Sequence, residues 1–268
     1  MNNLPQFLQT KLENQYSEDI ISQIIEGFKV KRRVTLRINT LKSSLDIVKK
    51  CLDDNNIKYK YSCIWEKALI IENADESIIR NLSIYKNGEI YLQSLSSMIP
   101  PIVLNPKENE DILDRTAAPG GKTTQMASIS DNRAHITACE MNKIRFERLK
   151  YNIEMQGAKC VYAMPKDARQ IDDFFSFDKI LLDAPCTGSG TININDSKLN
   201  KYFTEALLRK STKSQKMLIN KAIKIISEHK CISNNSEVIE LNETIKELKE
   251  ENNKMNMNNK NMKNEIDK

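Results

Sequence analysis

The chain has 268 residues, a net charge of +5 and 40% apolar residues. It is longer than a typical domain of about 100 to 200 residues, which predicts one catalytic-sized domain with a smaller partner. The apolar content suffices for a core, yet no run of about 18 apolar residues could cross a membrane. Pro5, Glu13 and scattered amides interrupt the opening stretch where a secretory signal needs continuous apolar residues. A soluble, monomeric, intracellular protein is expected, in the cytoplasm, nucleus, nucleolus or an organelle. Its mild positive charge suits a polyanionic partner without selecting one. Six cysteines, Cys51, Cys63, Cys139, Cys160, Cys186 and Cys231, form no CxxC pair. That argues against a zinc site and a disulfide framework, so no metal is expected and the thiols are reduced.

In chain order, Ser17 followed by Glu18, Asp19, Ile20, Ile21, Ile24, Ile25 and Phe28 predicts a capped amphipathic helix ending near Gly27 to Val30. Val34, Leu36 and Ile38 alternate with Arg33, Thr35 and Arg37, predicting a strand with one apolar and one basic face. That basic face either meets phosphate or is simply the solvated side of an edge strand. On the first reading Arg33 and Arg37, with Asn39 and Lys42 beyond them, are candidate contacts to a phosphate backbone. A helix over Leu45 to Leu52 and strands at Lys58 to Tyr61 and Ala68 to Ile71 complete a small α+β unit, placed at residues 1–87.

From Gly88 the texture changes to short apolar strands alternating with helices, the pattern of a doubly wound parallel sheet, placed at residues 88–240. Its strands are Asp111 to Asp114, His135 to Glu140, Cys160 to Met164 and Lys179 to Asp183, with helices starting near Lys122 and Lys143. A short helix over Val238 to Glu251 leads into an Asn- and Lys-rich tail, the last 20 residues, that cannot bury enough surface to order itself; helix and tail together are placed at residues 241–268.

Asp114-Arg115-Thr116-Ala117-Ala118-Pro119-Gly120-Gly121-Lys122-Thr123 lies where the first of these strands yields to a helix, the place where open α/β sheets bind ligands. Gly121-Lys122-Thr123 imitates the end of a phosphate-binding P-loop, but that loop needs glycine where Thr116 stands. The GxGxxG dinucleotide fingerprint is absent as well. A small adenosine cofactor remains. Glu140 closes the next strand about 20 residues on, where a carboxylate can accept both ribose hydroxyls. Asp167 follows the third strand, placed to bond an adenine amine.

The fourth strand ends Leu182-Asp183-Ala184-Pro185-Cys186-Thr187-Gly188-Ser189-Gly190. With the loop at Asp114 to Thr123, it resembles the RNA cytosine-5 methyltransferases of the Sun/nucleolar-protein family. Arg37 to Lys42, Gly88 to Met98, and Glu140 with Arg145, Leu149 and Asn152 extend the resemblance over about Arg33 to Ile226. It implies a Rossmann-like methyltransferase sheet preceded by the small α+β domain, acting on rRNA or tRNA. It also implies S-adenosylmethionine held by Thr116, Ala117, Ala118, Pro119, Gly120, Gly121, Lys122, Glu140, Asp167 and Asp183. Thr116 departs from the family's usual cysteine.

Carbon 5 of cytosine is a poor nucleophile, so a thiolate must first add to carbon 6. The resemblance gives Asp183 the task of bonding cytosine and Cys186 that of assisting release. The nucleophile would come from a later Ser-Thr-Cys at the end of a fifth strand. Here the helix from Thr204 to Ser227 runs instead into Glu228-His229-Lys230-Cys231. Three readings stay open. Cys231 is the nucleophile if Ile223 to Ile226 form the strand; the chain is shortened at this point and binds cofactor or RNA without catalysis; or Cys186 is itself the nucleophile.

Overall fold

The computed structural model describes residues 4–30, 32–171, 175–188 and 204–232, of which 227–232 in backbone only. Helices α1 (Gln6–Glu13) and α2 (Glu18–Lys29) pair over a small apolar cluster of Leu4, Leu8, Leu12 and Ile21. Strand β1 (Thr35–Ile38) then opens an antiparallel sheet with β2 (Tyr59–Tyr61), β3 (Ala68–Ile71) and β4 (Ile90–Leu92), in the order β2-β3-β1-β4. Helices α3 (Leu45–Asp54), α4 (Glu76–Asn81) and α5 (Ser83–Lys86) help close its core around Leu36, Ile38, Leu52, Leu69 and Ile90. The sheet takes in β4 and so reaches past residue 88, where the sequence reading divides the chain.

Helix α6 (Leu95–Leu104) leads into a parallel sheet of β5 (Asp111–Asp114), β6 (His135–Cys139), β7 (Val161–Met164) and β8 (Lys179–Leu181). Helices α7 (Gly121–Ile129) and α8 (Lys143–Gln156) make the crossovers, and the strand order is β7-β6-β5-β8. The chain winds outward from β5 to β7 and then returns to the other side of β5. The crevice beyond the carboxyl ends of β5 and β8 is therefore the topological switch point, the usual ligand position in such sheets.

Two sequence expectations change. Strand β1 is central, and its basic face is covered by the second domain. Arg37 is fully buried. Its Nε donates to Gln93 Oε1 at 2.9 Å, its Nη2 to Thr124 Oγ1 at 2.7 Å, and its guanidinium lies 5.0 Å from the centre of the Tyr91 ring. Asn39 is buried too, donating through Nδ2 to Gly88 O and Gln156 O, both at 2.8 Å. Both residues join the two domains and are withdrawn from any RNA surface. Arg33 and Lys42 stay exposed.

The second change concerns helix α9 (Glu205–Ile232), which stays helical through Ile223 to Ile226. Leu218, Ala222 and Ile225 fall at helical spacing and are buried, Ile225 against Leu113, Cys139, Ala168 and Phe177. A strand would turn alternate residues away from that contact. The helix expected over Val238 to Glu251 and the tail lie outside the described residues. Among the described residues no helix is long and apolar enough to cross a membrane.

Burial lowers the Arg37 pKa to about 10, so it enters the interface charged, with a desolvation cost that its bonds and the Tyr91 ring offset. Arg37→Met keeps the stem but leaves buried acceptors unpaired, at about 1–3 kcal/mol each. Scanning calorimetry should show the thermal midpoint fall by about 5–10 °C. An unchanged midpoint would mean that Arg37 contributes nothing to the domain interface.

Candidate active site

The loop between β5 and α7 is shaped by its glycines. Gly120 has φ of 105°, and a Cβ there would stand 3.0 Å from Leu149 Cδ1. Only glycine holds that conformation without strain. Beneath the loop Asp114 is 1% exposed, accepting from Thr123 Oγ1 at 2.7 Å and more weakly from the Thr116 amide at 3.4 Å. Burial is the main cause lifting its pKa to about 6, opposed by those hydrogen bonds.

The loop after β8 meets this one directly. Thr116 Oγ1 donates to Asp183 O at 2.7 Å, and Lys122 Nζ lies 2.6 Å from Asp183 Oδ2. Threonine at position 116 thus contributes a hydroxyl that ties the two loops together. The two loops share one rim of one sheet. A cavity of about 240 Å³ opens there, lined by Tyr91, Gln93, Ser94, Asp114, Lys122 and Asp183 among others. A second, of about 100 Å³, is lined by Arg115, Cys139, Glu140, Asp167 and Pro185, and Thr116 borders both.

Glu140 is 7% exposed. Its Oε1 accepts from the Asn142 amide at 2.8 Å, while Oε2 lies 3.3 Å from Arg145 Nη1. Arg145 also donates to Ala118 O at 2.5 Å, linking the acid to the glycine loop. Asp167 caps the short 3-10 turn at Ala168–Gln170 and pairs with Arg169, whose hydrogen bond holds its carboxyl below the usual range. The donor set fits an adenosine cofactor: recessed carboxylates for hydroxyls and an amine, with small residues along the floor between them.

Cys186 is exposed at the same rim, its Sγ accepting from the Gly188 amide at 3.4 Å. Pro185 O accepts from Gln215 Nε2 of α9 at 2.9 Å. Cys231 is not brought to this rim. Its backbone lies in the last turn of α9, 16 residues beyond Gln215 (231 − 215), or about 24 Å along the helix, and its side chain lies outside the described residues. Cys139 borders the second cavity, but burial pushes its thiol up to about 11, away from thiolate chemistry. Sequence reasoning gave Arg115 no separate role in the site; an arginine beside the apolar run of a central strand was the available signal.

The fold is that of a doubly wound methyltransferase. The sequence matches the family described as 16S rRNA methyltransferase RsmB/F over residues 101–266, and a RsmF/B-like ferredoxin-like domain over residues 4–76. The chain belongs to the RsmB/F methyltransferase family. It is 33% identical over 198 residues to the 25S rRNA (cytosine-C(5))-methyltransferase nop2 of Schizosaccharomyces pombe, covering 73% of this chain and 33% of that protein. It is 36% identical over 196 residues to the tRNA (cytosine(49)-C(5))-methyltransferase of Pyrococcus abyssi, covering 72% of this chain and 61% of that one. Among solved structures, a methyltransferase homolog protein from Pyrococcus horikoshii superposes with a TM-score of 0.67 at 28% identity, covering 83% of this chain and 74% of that one. The chain thus spans about a third of the length of the fission-yeast relative.

The buried Asp114 predicts a pH effect. Its folded pKa is raised, so folding favours the protonated form; that contribution is full below the ordinary carboxylate range and is lost as pH rises through about 6. Urea midpoints of the parent and Asp114→Asn should diverge in the parent's favour as pH falls from 7 to 4. A constant gap would show that the carboxyl is not shifted.

Proposed function

We propose that the chain transfers a methyl group from S-adenosylmethionine to carbon 5 of cytosine in rRNA or tRNA. The observation that carries this reading is the junction at Asp183, where the cofactor loop and the thiol loop are tied at a single rim. Glu140 would hold the ribose hydroxyls, Asp167 the adenine amine, and residues 116–122 the rest of the cofactor. When bound, that cofactor supplies an electrophilic methyl group. The chain's own residues do the remaining work. A thiolate adds to carbon 6, and the displaced π electrons make carbon 5 nucleophilic. Asp183 bonds the ring at N3 or N4 and stabilises charge developing there. After transfer a base removes the carbon 5 proton, the double bond re-forms and the thiolate is expelled. Cys186 is the thiol proposed for this chemistry, in the loop whose Asp183 pairs with Lys122. Arg33 and Lys42 are the exposed cations for an RNA backbone.

A second reading, a protein that binds cofactor or RNA without turnover, is favoured by one observation: α9 remains helical where a nucleophile-bearing strand was expected.

Calorimetric titration and transfer of labelled methyl to total RNA separate the two. The first reading expects binding and transfer, binding weakened at least about tenfold by Glu140→Ala, and transfer abolished by Cys186→Ala with Cys231→Ala active. Binding without transfer selects the second reading. A covalent protein–RNA adduct accumulating in Cys186→Ala, with Cys231→Ala inactive, would return addition to Cys231 and release to Cys186. Neither binding nor transfer would sink both readings.

A further inference from the structure

Arg115 follows β5 directly, and its amide is pinned to Leu181 O of β8 at 3.1 Å. Its side chain is 2% exposed. Nη2 donates to Ala168 O and Nη1 to Leu218 O, each at 2.6 Å. Both acceptors are uncharged main-chain carbonyls, Asp167 being occupied by Arg169. The remaining donor, Nε, is buried and has no hydrogen-bond partner among the described residues. Burying a guanidinium against two carbonyls with its Nε unpartnered is costly, and the cost is met only by the two bonds it makes across the cavity.

The two carbonyls belong to different elements that line the same smaller cavity, the turn after β7 and helix α9. Ala168 follows Asp167 in the turn bordering the smaller cavity. Leu218 lies one turn of α9 beyond Gln215, which holds Pro185 O and with it the Cys186 loop. The planar fork of an arginine presents two separate nitrogens to the two carbonyls; an ammonium carries its three donors on a single nitrogen at the end of a shorter stem.

We infer that Arg115 is a positioning residue that sets the separation between the adenosine end of the pocket and the Cys186 thiol. This rests on the proposed cofactor reading for one of its arms only. Through Ala168 it fixes the height of Asp167, and through Leu218 and Gln215 it fixes the loop of Cys186.

The test uses the full chain with Arg115→Met, Arg115→Lys and Gln215→Ala. Three readouts are taken: thermal midpoint, S-adenosylmethionine affinity by calorimetry, and iodoacetamide alkylation of Cys186 by peptide mapping, with the exposed Cys63 as internal standard. In Arg115→Met, cofactor affinity should fall about tenfold and the Cys186-to-Cys63 alkylation ratio should rise about threefold or more. Arg115→Lys should recover part of one effect. Gln215→Ala, which severs only the thiol arm, should raise the alkylation ratio and leave affinity within about twofold. Loss of stability alone would move both readouts together in every variant. The inference is overturned if folded Arg115→Met keeps both readouts within about twofold of the parent. If Arg115→Met does not fold, parental readouts in both remaining variants overturn it. A parent that binds no cofactor defeats the cofactor reading, while the alkylation ratio still decides whether Arg115 holds the thiol loop.

Discussion

The site depends on the meeting of two loops at Asp183. A parallel sheet whose chain reverses direction beside β5 leaves a crevice where backbone ends diverge. Diverging ends do not by themselves hold a fixed geometry. Here Thr116 takes the main chain of Asp183 and Lys122 its carboxylate, so the loop after β8 is fixed to the loop after β5 through both backbone and side chain. The ammonium is mostly covered while the carboxylate is about half exposed, so the pair keeps one side open to solvent. The same lysine lies close enough to favour ionisation of Asp114 below it.

Rigidity also enters from the first domain. Arg37 donates to Thr124 on the first turn of α7, and Thr124 Oγ1 donates in turn to Gly120 O. Tyr91, stacked under Arg37, borders the larger cavity and meets the place where a Cβ on Gly121 would stand, 3.1 Å away. The small domain therefore builds one wall of the site and holds the glycine loop from behind. Gln93 extends this chain, donating to Gln125 Oε1 and Ser97 O, both at 2.9 Å. Motion of the first domain would be felt at Gly120 and Gly121 before it reached any substrate.

The parallel sheet was legible because short apolar runs alternate with helix-length segments, and three of the four runs end on an acid, at Asp114, Glu140 and Asp183. Asp114, Glu140, Asp167 and Asp183 could be placed at strand ends for the same reason. The basic face of β1 was misread because alternation reports that a face differs from its opposite, not what covers it. Arginine is so seldom buried that exposure was the natural inference, and its partners Gln93 and Thr124 lie 56 and 87 residues away. Helix α6 was missed since Pro100 and Pro101 lie inside it, where proline ordinarily breaks the ladder. Strand β4 is only three residues long and takes its identity from pairing with β1.

The C-terminal helix shows how local pattern and tertiary demand can diverge. A fifth strand would extend the sheet beyond β8 and carry a thiol to the rim; the alternative is to keep the helix and bury Leu218, Ala222 and Ile225 against its face. The apolar spacing after Gln215 satisfies the second, and a helix needs no pairing partner for its backbone, whereas a strand at that edge would need one. Arg115 adds a bond to the middle of the same helix, which a strand in that place would forfeit. Each added residue of helix carries the chain about 1.5 Å farther from Pro185, so the interaction that anchors α9 at the rim also takes Cys231 away from it. Among the described residues Cys186 is thereby left as the exposed thiol in the loop of Asp183, and the make-up of the rim is decided as much by where α9 continues as by the loops it supports.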